Sequence, residues 1–239
     1  MRRALVTGGS GEIGGAICRR LAADGCHVIV HANRHVDSAH EVVAAIVAVG
    51  GDASTAVFDV TDRAAAGAAL AALLEHGPIQ VLVNNAGIHD DAVFPAMRAA
   101  QWDSVIDVSL NGFFNVTQPL LMPMMRTRWG RIVTVTSVAA IFGNRGQVNY
   151  SAAKGALHSA TKSLALEVAS RGITVNAVAP GIIDTSMSAQ AFDQETVERL
   201  VPMKRAGKPA EVADLVGFLC SDNAAYMTGQ VISINGGIV

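Results

Sequence analysis

Residues 4–14 read Ala4-Leu5-Val6-Thr7-Gly8-Gly9-Ser10-Gly11-Glu12-Ile13-Gly14, a short apolar run that breaks into glycines and resumes at once with helical spacing. Ile13, Ile17 and Leu21 follow at i, i+4 and i+8, one stripe able to pack on a sheet, while Glu12, Arg19 and Arg20 lie off that line. The stretch therefore reads as strand, tight turn, helix. Glycines in such a turn let the backbone approach a phosphate, and the free N–H groups of the helix start attract its charge.

Working outward, short Val- and Ile-rich runs recur at 4–7, 27–31, 54–58, 80–84, 131–136, 173–178 and 231–234, most of them separated by longer segments of helical spacing. Alternating strand and helix implies parallel strands joined by right-handed crossovers. Runs such as Val28-Ile29-Val30 and Val81-Leu82-Val83 are apolar on both faces, as strands covered by helices on both sides require. The expected fold is α/β: a Rossmann-type doubly wound parallel sheet of about seven strands in one domain over 1–239. The Ala-rich piece at 64–72 reads as a surface helix. Ligands of such sheets bind beyond the carboxyl ends of the strands, so the turns there are where function is sought.

Composition narrows the class. The chain has 239 residues, is 51% hydrophobic and carries 23 Gly against 7 Pro, which suits a large core with many tight turns. A net charge of -2 offers no footprint for nucleic acid or an anionic membrane. Cys18, Cys26 and Cys220 have no metal-ligand spacing and read as thiols of a reducing compartment. No apolar segment has the length of an export signal or a membrane span, so the protein is expected to act in the cytoplasm, without a metal.

Tyr150 and Lys154 lie four apart on an expected helix, so both side chains leave one face about one turn apart. A phenol with a pKa near 10 is a poor acid at neutral pH, and a nearby ammonium is expected to bring it closer to the working range. The strand at 131–136 delivers Ser137 at its carboxyl end, where a hydroxyl can bond a substrate carbonyl.

These features together resemble the short-chain dehydrogenase/reductase family over the whole chain. Thr7, Gly8 and Gly14 match its TGxxxGxG turn, with Glu12 in place of the middle glycine and expected to point to solvent. Asn84-Asn85-Ala86-Gly87 and Pro180-Gly181-Ile182-Ile183-Asp184-Thr185 match its later strand-end turns. Within the family, Gly143-Asn144-Arg145-Gly146-Gln147-Val148-Asn149-Tyr150 and the ending at Tyr226–Gly237 are most similar to β-ketoacyl-[acyl-carrier-protein] reductases.

The resemblance implies a dinucleotide held by Thr7, Gly8, Ser10, Ile13 and Gly14, by Asn33 and Arg34, by Asp59 and Val60, by Asn85, Ala86 and Gly87, and by Pro180, Gly181, Ile183 and Thr185, with Tyr150 and Lys154. Ala32 stands where an NAD-type acid would be and Arg34 can meet a 2′-phosphate, so NADPH is the expected cofactor. Ser137, Tyr150 and Lys154 are the implied catalytic group. The register puts Ser109, rather than an asparagine, in the fourth place; Asn111 lies about 200° further round an α-helix.

The implied substrate is a 3-oxoacyl thioester on acyl carrier protein or CoA, under a loop at 184–202 containing Met187, Ala191 and Phe192, with Met203 beside it. Small ketones, or a nucleotide-sensing protein without chemistry, are the alternatives. The implied assembly is a homotetramer through the helices near 100–125 and 150–170 and the last strand, with Arg128 and Arg171 as candidates to meet an acidic carrier.

Overall fold

A computed structural model describes residues 1–189 and 192–239. Seven parallel strands form one sheet: β1 (Arg3–Val6), β2 (His27–Ala32), β3 (Asp52–Val57), β4 (Val81–Asn84), β5 (Gly130–Val135), β6 (Ile173–Pro180) and β7 (Val231–Ile234). Their spatial order is β3-β2-β1-β4-β5-β6-β7. The chain winds outward to β3, returns to the middle at β4 and winds the other way. The crevice between β1 and β4 is thus the switch point of a doubly wound sheet.

Alternation within each strand builds two cores. Val6, Val28, Val30, Val81, Val83 and Val135 face one layer, where α1 (Glu12–Ala23), α2 (Val36–Ala48) and a later helix pack. Leu5, Ile29, Leu82, Ile132 and Val175 face the other, against Leu70 of α3 (Arg63–Glu75) and further helices. The Ala-rich piece is helical as expected, but it also seats Ala66 and Leu70 in the second core.

After β4 come α4 (Ala99–Ile106) and α5 (Gly112–Thr127), joined by a π turn at Asp107–Asn111 in which the Gly112 N–H reaches five residues back to the Asp107 carbonyl. The remaining helices are α6 (Ala139–Phe142), α7 (Val148–Val168), α8 (Ser186–Ala189), α9 (Gln194–Leu200) and α10 (Pro209–Cys220), the last completing the first core. Six of the seven strands differ from the sequence reading by one or two residues at an end, β7 alone coinciding, and two of the differences have a local reason. β3 occupies 52–57 rather than 54–58, because its polar start Asp52 pairs with His27. β6 runs on to Pro180, which lacks an N–H but offers its carbonyl to the Val138 N–H at 3.0 Å. Among the described residues no helix is long and apolar enough to cross a membrane.

Candidate active site

The glycine turn is built from backbone bonds. Gly8 adopts φ +63°, and a Cβ there would stand 3.1 Å from Ala86 Cα. At Gly14 a Cβ would fall 2.1 Å from the Gly8 carbonyl oxygen, so the turn closes only on glycine. The Gly8 carbonyl accepts from the Gly11 N–H and from the Asn85 side-chain amide, each at 3.1 Å. Thr7 ties this turn to the next strand end: its hydroxyl accepts the N–H groups of Asn85 and Ala86 at 3.0 Å. Ser10 and Ile13 are half-buried at the mouth, where the first-turn N–H groups of α1 have no helical partner.

At the neighbouring strand ends, Ala32 is fully buried while Asn33 and Arg34 are exposed. Arg34 joins no ion pair among the described residues, though its charge lies near enough to Asp59 to help depress that carboxyl's pKa. The larger causes are the Thr61 N–H and hydroxyl, both 2.8 Å from one Asp59 oxygen. Val60 is buried, and its carbonyl receives the Asn115 side-chain amide at 2.9 Å. First-turn N–H groups and an exposed arginine at the ends of two adjacent strands suit a dinucleotide.

Ser137, Tyr150 and Lys154 come together above β5. Ser137 lies two residues before α6, its oxygen accepting the Ala139 N–H at 3.1 Å. Lys154 is buried, donates to the Val135 carbonyl at 2.9 Å and lies 5.7 Å from the centre of the Tyr150 ring. Gly87 makes room for it: a Cβ there would stand 3.0 Å from Lys154 Nζ. Burial lowers the Lys154 pKa to about 8. The Tyr150 phenol behaves differently from the sequence expectation. Desolvation raises its pKa and the Ser137 hydroxyl offsets part of that rise, while Lys154 donates to the Val135 carbonyl.

The π turn decides the fourth position. It turns Ser109 inward, buried, with a hydroxyl that has no partner among the described residues. Thr134 nearby is in the same condition. Both line a cavity of about 10 Å³, the size of one water, whose wall includes Thr7, Asn84, Ala86 and Lys154. Two orphaned hydroxyls and an ammonium are enough partners to hold such a water. Asn111 is exposed and spends its amide on Asp107 at 2.6 Å.

Beyond β6, a Cβ on Gly181 would stand 2.8 Å from Asn235 Cα, and buried Ile183 pairs in a bridge with Gly207. Thr185 keeps its hydroxyl within its own turn, 3.4 Å from the Ile183 carbonyl and 3.3 Å from the Ser188 hydroxyl. Glu12 departs from the expectation that it only faces water. It is exposed, but its carboxylate accepts the Ser186 N–H at 2.9 and 3.2 Å and so straps the glycine turn to α8. Of the expected loop residues, Phe192 is half-buried, Met203 is exposed, Met187 falls in α8, and Ala191 lies outside the described residues. Arg128 and Arg171 stand at the amino ends of β5 and β6, opposite Ser137, where Arg128 donates to the Ser170 carbonyl at 3.3 Å.

Two buried polar residues escaped the sequence reading. Asn149 gives its amide to the Asp90 and Gln101 carbonyls at 3.0 and 2.9 Å and takes the Tyr150 N–H at 2.8 Å, fixing the start of α7. His31 sits between the glycine turn and the end of β3. A lone Asn or His carries no periodicity; only its position beside a motif, directly before Tyr150 or at a strand end, was available as a signal.

Comparison with known proteins gives the family. Residues 2–196 match the short chain dehydrogenase family. A 3-oxoacyl-[acyl-carrier-protein] reductase FabG from Aggregatibacter actinomycetemcomitans is 45% identical over 236 residues, 98% of each chain. Nodulation protein G from Azospirillum brasilense is 42% identical, covering 98% of this chain and 97% of that one. An acetoacetyl-CoA reductase from Allochromatium vinosum is 41% identical, covering 99% and 98%. With a doubly wound sheet, a glycine turn at its switch point and a match over most of its length, the chain belongs to the short chain dehydrogenase family and is an NAD(P)-dependent oxidoreductase.

Proposed function

We propose that the protein reduces 3-oxoacyl thioesters to 3-hydroxyacyl thioesters with NADPH, in the cytoplasm, using Ser137, Tyr150, Lys154 and Ser109. The observation that carries this reading is the meeting of Ser137, Tyr150 and Lys154 at the carboxyl end of β5, beside the glycine turn. Relatives named for acyl-carrier-protein and CoA thioesters, at 45% and 41% identity, support the substrate class.

NADPH, when bound, supplies the hydride for the 3-carbonyl carbon. Tyr150 gives its proton to the developing alkoxide, and Ser137 orients the same oxygen by donating a hydrogen bond. The ammonium of Lys154 has three donors and spends one on Val135, which leaves two for the nicotinamide ribose and the water cavity. Ser109 and Thr134 would hold the water through which the proton lost by Tyr150 is replaced. Arg34 would pair with the 2′-phosphate, and Thr185 with the carboxamide once released from Ser188.

A homotetramer fits the exposed apolar side chains of α5 and α7, Phe114, Met122 and Leu166, and the half-exposed edge strand β7. Arg128 and Arg171 lie at the sheet end away from Ser137, so a carrier held there would serve the site of another copy. The deciding experiment follows NADPH absorbance with matched 3-oxoacyl chains on acyl carrier protein and on CoA. Turnover of neither thioester would overturn the reading, and faster turnover on CoA would favour the acetoacetyl-CoA type.

A further inference from the structure

His31 is 2% exposed at the end of β2, and both of its ring nitrogens are engaged. Nδ1 stands 3.0 Å from the backbone nitrogen of Gly8 and Nε2 stands 2.9 Å from the carbonyl oxygen of Phe58. A backbone N–H can only donate and a carbonyl can only accept, so the ring is the neutral tautomer with its proton on Nε2. The Phe58 ring packs against it, centroids 4.2 Å apart. Burial lowers its pKa, with the nearby Asp59 carboxylate and the Phe58 carbonyl pulling the other way, so the acceptor form is the one present at neutral pH.

The consequence falls on Gly8. Its carbonyl is held by the Gly11 N–H and by Asn85, and its N–H by His31, so the strained left-handed peptide of the turn is fixed from three sides. The three anchors come from the turn itself, from the end of β4 and from the end of β2. Without the imidazole, the Gly8 N–H would be a donor in the half-buried wall of the turn that has lost its acceptor, and the peptide would be free to rotate toward water.

From this we infer that His31 is a positioning residue for the dinucleotide, holding the Gly8 peptide so that the first-turn N–H groups of α1 stay aimed at the diphosphate. It touches neither cofactor nor substrate and acts through the turn. The inference rests on the glycine turn being the cofactor site.

Two near-isosteres separate this role from general support of the core. In His31→Asn the side-chain oxygen falls close to the Nδ1 position and can still accept from Gly8, while the donor to Phe58 is lost. In His31→Gln the amide nitrogen falls close to Nε2 and keeps the donor to Phe58, while the acceptor is lost. Each gives up one buried hydrogen bond, so their melting temperatures should drop by similar amounts. NADPH binding, measured by fluorescence titration, should stay within about threefold of wild type in His31→Asn and weaken about tenfold in His31→Gln, the size of one net hydrogen bond. The kcat at saturating NADPH should be little changed in both.

Equal affinity losses in the two variants, the reverse order, or no loss in either would overturn the inference alone. A wild-type protein that did not bind NADPH would overturn the glycine-turn reading and the inference with it. Should a variant fail to fold, hydrogen exchange of the wild-type Gly8 amide decides: slow exchange that slows further with NADPH is expected, and free exchange in both states would overturn the role.

Discussion

The ammonium of Lys154 and the ring of Tyr150 lie 5.7 Å apart, near enough to act on one substrate, yet the ammonium is committed to the Val135 carbonyl. Tyr150 remains a protonated phenol in this arrangement, its pKa raised by burial, and is therefore ready to give a proton rather than take one. That suits reduction. Tyr150→Phe should keep the fold and NADPH affinity and lower kcat by about 10²- to 10⁴-fold, the range of a positioned general acid. Retention of most turnover in single-turnover assays would remove Tyr150 from the role.

The pH profile follows from Lys154. Its pKa is lowered to about 8, so it carries its charge below that value and loses it as pH rises through it, while the phenol stays protonated. The kcat/KM for reduction should be flat in the neutral range and fall above about pH 8. Lys154→Arg, which cannot lose its charge, should lack that limb whatever its absolute rate. A profile with the same alkaline limb in both proteins would assign the titration to another group.

Arg34 sets the cofactor preference if it meets the 2′-phosphate. Arg34→Ala should reduce the NADPH-to-NADH ratio of kcat/KM about tenfold or more, with NADH nearly unchanged, as expected for loss of a charged hydrogen bond. An unchanged ratio would show that Arg34 only faces solvent.

Glu12 opens α1, beside the N–H groups expected to meet the diphosphate, and its carboxylate is tied to Ser186. Two unit charges about 4 Å apart in water are worth roughly 1 kcal/mol, so Glu12→Gln should tighten NADPH binding about fivefold at low salt, and less at high salt. Weaker binding in Glu12→Gln would mean that the strap to α8 helps hold the cofactor more than its charge repels it.

Ser109 and Asn111 are separated by their environments. Ser109→Ala removes one of the two unpartnered hydroxyls that line a water-sized cavity among the described residues and should lower kcat several-fold at saturating substrates, the range of one modest hydrogen bond, while Asn111→Ala should be near wild type. Loss of turnover in a folded Asn111→Ala protein, with Ser109→Ala unaffected, would reverse the assignment.

What the sequence made legible was whatever repeats or sits in a motif. Val28–Val30 and Val81–Val83 announced a sheet covered on both faces, and the two cores sort those same residues by alternation. Thr7–Gly14, Tyr150 and Lys154 could be placed at strand ends and on a helix by spacing alone. The contacts that finish the site join residues far apart in the chain, Glu12 with Ser186 and His31 with Phe58, and no local pattern encodes them. The π turn was equally hidden. A Cβ on Gly112 would stand 3.0 Å from the Val60 side chain, and such a close approach is a property of two packed segments rather than of one.

That π turn also records something about chain length. Its extra residue re-phases everything downstream by one helical step, about 100°. Deleting a single residue between Asp107 and Asn111 would let the helix run on as regular α with α5 in nearly the same phase, so Val116, Leu120 and Met124 would keep the second core while the inward place of Ser109 was lost. A library of one-residue deletions across 99–127 should accordingly keep folded protein where the deletion falls in this turn, and lose it where the deletion falls among the core residues of α5, which have no extra residue to give up.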